Sequence, residues 1–181
     1  MLIFTGRFQP FHNGHLSIID RLRTLYPQEI ICVAIIKDTP IKKEKTEFDK
    51  IVDRKLSKDQ NPFPADVTIM LVNKILKNLA YDNVVTTLMP RAASETWEYI
   101  ISLFDNERTW VFTKNTSAQD DWEDEKCHFY ESQGEKVIRI PIEKEIEGTI
   151  IRQAIRDREY DKLVAMVPKE VLSYIIKHSV K

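Results

Sequence analysis

Apolar positions in this chain fall into short runs rich in β-branched residues, separated by longer stretches of helical period. Residues 1–6 (M-L-I-F-T-G) read as a strand. Glu29–Lys37 (E-I-I-C-V-A-I-I-K) shows no polar alternation, which is how a strand covered on both faces reads. Val84–Met89, Thr109–Thr113 and Lys136–Ile140 supply three more strands. Helical periods occupy about 13–25, a segment from the break at Asn61-Pro62-Phe63-Pro64 to about Leu79, about 93–104 and about 118–132. A further helix opens near Thr149, and a last one runs from Pro168 to about His178. Strand alternating with helix throughout predicts an α/β fold in which a parallel five-stranded sheet carries helices on both faces. The segment Asp38–Lys58, dense in charge, reads as solvated loop and helix surface.

Length and composition then narrow the classes. The chain has 181 residues, 43% of them hydrophobic, enough for one full core and a single domain over 1–181. Lysine plus arginine number 27 against 28 acids, so the net charge of -1 argues against a nonspecific nucleic-acid binder. Cys32 and Cys127 have neither metal-site spacing nor the look of a disulfide framework, which points to a reducing, cytoplasmic setting. No basic leader opens the chain and no apolar run approaches the roughly 18 residues of a membrane span, so a soluble protein is expected.

The chemistry gathers at two places. Gly6 to His15 reads G-R-F-Q-P-F-H-N-G-H and holds two of the four glycines and two of the four histidines. It follows the first strand and opens the first helix, where open parallel sheets bind ligands. Gly6 permits a close backbone turn, Pro10 stiffens the loop, and Asn13 is expected to cap the helix, whose free N–H groups face an anion. His12 and His15, three apart, share a helix face and can address one phosphate group. The second place is I-E-G-T-I-I-R, from Ile146 to Arg152. There Thr149 is expected to cap a helix while donating to a phosphate oxygen, and Arg152 to reach the same anion with its planar fork.

Together these motifs resemble the HxGH nucleotidyltransferase superfamily, and most of all its archaeal-type nicotinamide-nucleotide adenylyltransferases. The likeness covers almost the whole chain: Asn61-Pro62-Phe63 before a helix, Trp97 after a proline-containing strand end, and Val167-Pro168 before the last helix. It implies a Rossmann-like, doubly wound domain that transfers AMP from ATP to nicotinamide mononucleotide, giving NAD and pyrophosphate, with Mg²⁺ bridging phosphate oxygens. His12, His15 and Arg152 would be catalytic. Gly6, Arg7, Phe8, Gly14, Gly148 and Thr149 would join Arg152 around ATP, and Trp97 would stack on the nicotinamide ring. From their own positions, Arg91 just past Met89-Pro90 and Asn115 after the fourth strand are read as acceptor contacts. Members of the superfamily often form homo-oligomers. Two departures stand out. Pro64-Ala65-Asp66 replaces a G-E-R segment whose arginine serves the family's site, and Glu147 replaces a serine. Two other readings therefore stand beside the first: a relative that uses another phosphorylated acceptor, such as a pantetheine phosphate, or CTP; and a noncatalytic nucleotide-binding regulator. Trp110, His128 and His178 read as core or surface residues, and the acidic run Asp120–Glu125 around Trp122 as a solvated helix start.

Overall fold

β1 (Leu2–Gly6) and β2 (Ile31–Lys37) are apolar on both faces because each is covered on both sides. The computed structural model describes residues 1–37, 62–116, 121–143 and 146–179. The charged stretch 38–58, Asn61, the residues at 117–120 and the side chain of Trp122 lie outside the described part.

The other elements are α1 (Asn13–Leu25), α2 (Ala65–Asn78), β3 (Val84–Pro90), α3 (Trp97–Ser102), β4 (Thr109–Asn115), α4 (Asp121–Ser132), β5 (Val137–Ile142), α5 (Gly148–Arg156), α6 (Tyr160–Met166) and α7 (Lys169–Ser179). The strands form one parallel sheet in the order β3-β2-β1-β4-β5. Leu2 lies beside Ile31 on one flank and Thr109 on the other, so β1 is central and the strand order reverses between β1 and β4.

Alternation along the strands builds two cores. Leu2, Phe4, Val33 and Val111 face one way and pack against residues of α1, α2, α5, α6 and α7. Ile3, Cys32, Ala34, Trp110 and Phe112 face the other and pack against α3 and α4. This is the predicted doubly wound arrangement. Trp110 is fully buried and His128 fully on the surface, as read from the sequence. No described helix is long and apolar enough to cross a membrane.

Boundaries differ where side chains capture backbone groups. α3 starts at Trp97 rather than near Ala93 because Thr96 Oγ1 accepts from the Ala93 N–H at 3.0 Å and donates to the Arg91 carbonyl at 2.6 Å, closing a turn before the helix. β5 runs on to Ile142 across Pro141, which an edge strand tolerates. α6 was not foreseen. The break before it falls at Arg158, whose φ of 58° lies in the left-handed region with no glycine or proline to announce it.

Candidate active site

A cavity of about 770 Å³ opens at the carboxyl ends of β1 and β4, where the strand order reverses. Its lining includes Gly6, Arg7, Phe8, His12, Gly14 and His15 from the first motif, and Glu147, Gly148 and Thr149 from the second. The two motifs, more than 130 residues apart in sequence, thus share one space.

The first motif is fixed by its own aromatic residues. Phe8 holds a φ of 53° while 3% exposed, a conformation that costs an ordinary residue about 1 kcal/mol or more. Its ring lies edge-on to Phe4 at 5.4 Å and to His15 at 4.9 Å. A Cβ on Gly6 would come within 3.1 Å of that ring. The cap of α1 is His12 and not Asn13. Asn13 is the first helical residue, and its amide donates to the Ala165 carbonyl at 2.9 Å, tying α1 to α6. The reason is that the turn needs the His12 N–H free to meet His15 Nδ1, at 3.1 Å.

That hydrogen bond sets the chemistry of His15. With Nδ1 accepting, a neutral ring carries its proton on Nε2 and is a donor there. The two imidazoles stack with centroids 3.6 Å apart, and His12 Nδ1 is buried with no hydrogen-bond partner among the described residues. Burial first, then the Arg152 charge, lowers the His12 pKa to about 4. Burial, then the proximity of His12, holds His15 well below its usual range. At neutral pH the site therefore offers stacked neutral donors rather than imidazolium charges. A Cβ on Gly14 would sit 3.0 Å from the His12 ring, so only glycine lets the ring lie down over the helix start.

Arg152 joins the motifs. Its guanidinium donates to the Gln9 carbonyl at 2.8 Å and to Thr149 Oγ1 at 3.0 Å. Glu147, with extended backbone, is the N-cap of α5, and Thr149 lies inside the helix instead of capping it. A Cβ on Gly148 would approach Arg152 Nη1 to 3.0 Å and the Gln9 carbonyl to 3.4 Å, so this glycine leaves room for the guanidinium to reach the first loop.

The expected acceptor residues separate. Arg91 is 2% exposed and lines the cavity. Asn115 ends β4 but stays outside the lining, and Trp97 is not brought to the cavity. Trp97 is 6% exposed and held edge-on by Phe129 at 5.4 Å and Tyr130 at 5.0 Å, with Trp110 at 6.2 Å. Tyr130 stands at the wall where Trp97 was expected. In this arrangement the tryptophan is a core residue behind the wall.

Sequence reasoning missed Gln9, Glu123, Lys126 and Tyr130. The Gln9 amide accepts from the Phe63 N–H at 2.9 Å and donates to the Phe63 carbonyl at 2.6 Å, clamping the irregular segment 62–64 that leads into α2. Glu123 and Lys126 line the cavity as an ion pair at 2.6 Å, so this part of the acidic run is not a solvated helix start. Their spacing to Cys127 and Tyr130 at i, i+3, i+4 and i+7 was the readable signal. Among the described residues no three metal-ligating side chains converge.

A nicotinamide-nucleotide adenylyltransferase of Methanococcus aeolicus is 25% identical over 173 residues, 96% of this chain and 86% of that protein. A nicotinamide-nucleotide adenylyltransferase of Sulfurisphaera tokodaii is 36% identical over 80 residues, a stretch spanning 44% of this chain and only 37% of that protein's length. The solved structure of a Plasmodium falciparum nicotinic acid mononucleotide adenylyltransferase complexed with NaAD matches with a TM-score of 0.57 over 99% of this chain and 95% of that one, at 13% identity, and so bears on the fold alone. The cytidylyltransferase-like family matches residues 3–154. With both motifs lying inside that match and meeting in one cavity, the chain belongs to the cytidylyltransferase-like family of nucleotidyltransferases.

Proposed function

We propose that the cavity transfers AMP from ATP to a pyridine mononucleotide, with nicotinamide mononucleotide as the leading acceptor and NAD and pyrophosphate as products. The observation that carries this reading is the meeting of His12, His15, Gly148 and Thr149 at the switch point of the sheet, with Arg152 bonded to both loops. The names of the relatives support the pyridine acceptor.

An oxygen of the acceptor phosphate attacks the α-phosphorus of ATP. The bond from that phosphorus to the bridging oxygen breaks, and pyrophosphate leaves with the electron pair. The attacking oxygen is already anionic, so no strong base is required, and the protein contributes position and charge stabilisation. His15 Nε2–H donates to the phosphate oxygen whose charge grows in the transition state. His12 and Arg7 hold the triphosphate, while Thr149 and Arg152 hold its β and γ groups. Arg91, on the far wall, takes the acceptor phosphate.

Mg²⁺ fits as a partner that enters on the triphosphate, since Glu143 and Glu147 line the mouth and can face its water shell without a dedicated protein cage. When bound, it neutralises charge on the phosphate oxygens. The test is pyrophosphate release with ATP and Mg²⁺ across a panel of nicotinamide mononucleotide, nicotinic acid mononucleotide and phosphopantetheine. Turnover with a pyridine mononucleotide is expected. A product from phosphopantetheine alone would move the acceptor, and bound ATP without any pyrophosphate release would favour the regulator.

A further inference from the structure

Arg152 is the charged residue that spans the two motifs, yet a neutral group orients it. Its guanidinium has two described partners, the Thr149 hydroxyl at 3.0 Å and the Gln9 carbonyl at 2.8 Å. Thr149 belongs to α5, three residues before Arg152, so it moves with the helix and cannot fix the guanidinium against the first motif. Among the described residues that task falls to the Gln9 carbonyl. A carbonyl accepts the N–H and leaves the positive charge intact, whereas a carboxylate would cancel the charge that a triphosphate needs.

The carbonyl is held in place by the side chain of the same residue. The Gln9 amide closes a two-bond pairing with the backbone of Phe63, accepting at 2.9 Å and donating at 2.6 Å. Phe63 is itself fixed: its ring is buried in the core on the α1 face of the sheet and packs against Tyr174 of α7 at a centroid distance of 5.8 Å. On the other side of Gln9 in the chain, the Phe8 ring is locked among Phe4, Phe11 and His15. We infer that Gln9 is a positioning residue for ATP: its amide, clamped to the core through Phe63, holds the carbonyl that aims Arg152 at the triphosphate. This inference rests on the ATP reading of the cavity and is independent of the acceptor.

A clamp that was only structural would lower stability without touching affinity. The readout is therefore the dissociation constant for ATP with Mg²⁺ in the absence of any acceptor, with the binding stoichiometry reporting the folded fraction. Gln9→Ala should weaken binding by at least about fivefold, part of what one hydrogen bond to a charged group is worth. In an Arg152→Ala background, itself weaker than wild type, the same substitution should change the constant by less than about twofold, because the residue it acts through is gone. Asn78→Ala removes a 2.6 Å bond from Asn78 to Glu170 that ties α2 to α7, away from the first loop, and should bind ATP as wild type does. The assignment is overturned by an unchanged constant in Gln9→Ala, by equal weakening in both backgrounds, or by weakening in Asn78→Ala as large as that in Gln9→Ala; each leaves the ATP reading intact. A wild type that binds no ATP overturns the ATP reading, and this assignment with it.

Discussion

At the scale of single residues, the histidine pair determines how the site behaves. Replacing His15 by Ala removes one preorganised donor and should lower turnover by at least about a hundredfold with the fold intact; turnover at the wild-type rate would remove His15 from the chemistry. The same pair makes stability depend on acid. Both folded-state pKa values lie below the ordinary value of 6.5, that of His12 at about 4. Above pH 6.5 folded and unfolded chains carry the same neutral imidazoles, and stability is at its plateau. As the pH falls from 6.5 towards 4, the unfolded chain takes up protons that the folded chain refuses, so stability drops, by an amount on the order of 3 kcal/mol for His12 alone. Urea midpoints at pH 7 and pH 5 should therefore differ less in His12→Gln than in wild type. An equal difference would show that His12 titrates normally in the folded protein. Gly148→Ala should raise the KM for ATP several-fold, because its methyl group meets Arg152 at 3.0 Å and displaces the guanidinium from the first loop. An unchanged KM would mean that Arg152 relaxes without cost.

At the scale of elements, Gln9 connects the first loop to α2. Gln9→Ala would leave the partly buried Phe63 N–H and carbonyl without their amide partner, with an expected loss of about 1–3 kcal/mol in denaturant stability and faster proteolysis near 62–64. Unchanged values would show that water replaces the amide. The alternation of strands and helices was legible because β1 and β2 are apolar on both faces and α1 and α2 have a clear helical period. The glycine and histidine motifs were legible because so few such residues exist elsewhere in the chain. The cap of α1 was not: Asn13 has the better intrinsic capping side chain, but its amide is drawn to Ala165, a contact that only tertiary structure supplies. α6 was hidden by a left-handed arginine. The inner stripe of α4 was hidden because five acids among the six residues 120–125 dominate the reading of composition, although the i, i+3, i+4, i+7 spacing of Glu123, Lys126, Cys127 and Tyr130 was present in the sequence.

At the scale of the whole molecule, the two cores share one sheet: Leu2 and Phe4 serve one, Ile3 between them the other. Neither can dissolve without exposing β1, so the chain should unfold in one step. Fluorescence of Trp97 and Trp110, both in the α3–α4 core, should follow the same denaturant transition as far-ultraviolet circular dichroism; separated midpoints would mean two independently stable halves. The shared sheet also explains why the site lies where it does. The strand order reverses beside β1, and helices from both faces lend it their ends. The central claim is that this cleft breaks ATP between its α and β phosphates and passes AMP to an acceptor phosphate. The most direct measurement follows ATP labelled separately at the α and γ positions through a reaction with nicotinamide mononucleotide and Mg²⁺. The α label should appear in a dinucleotide of the mass of NAD and the γ label in pyrophosphate. A γ label found on the acceptor, or no transfer of either label by protein that binds ATP, would contradict the claim.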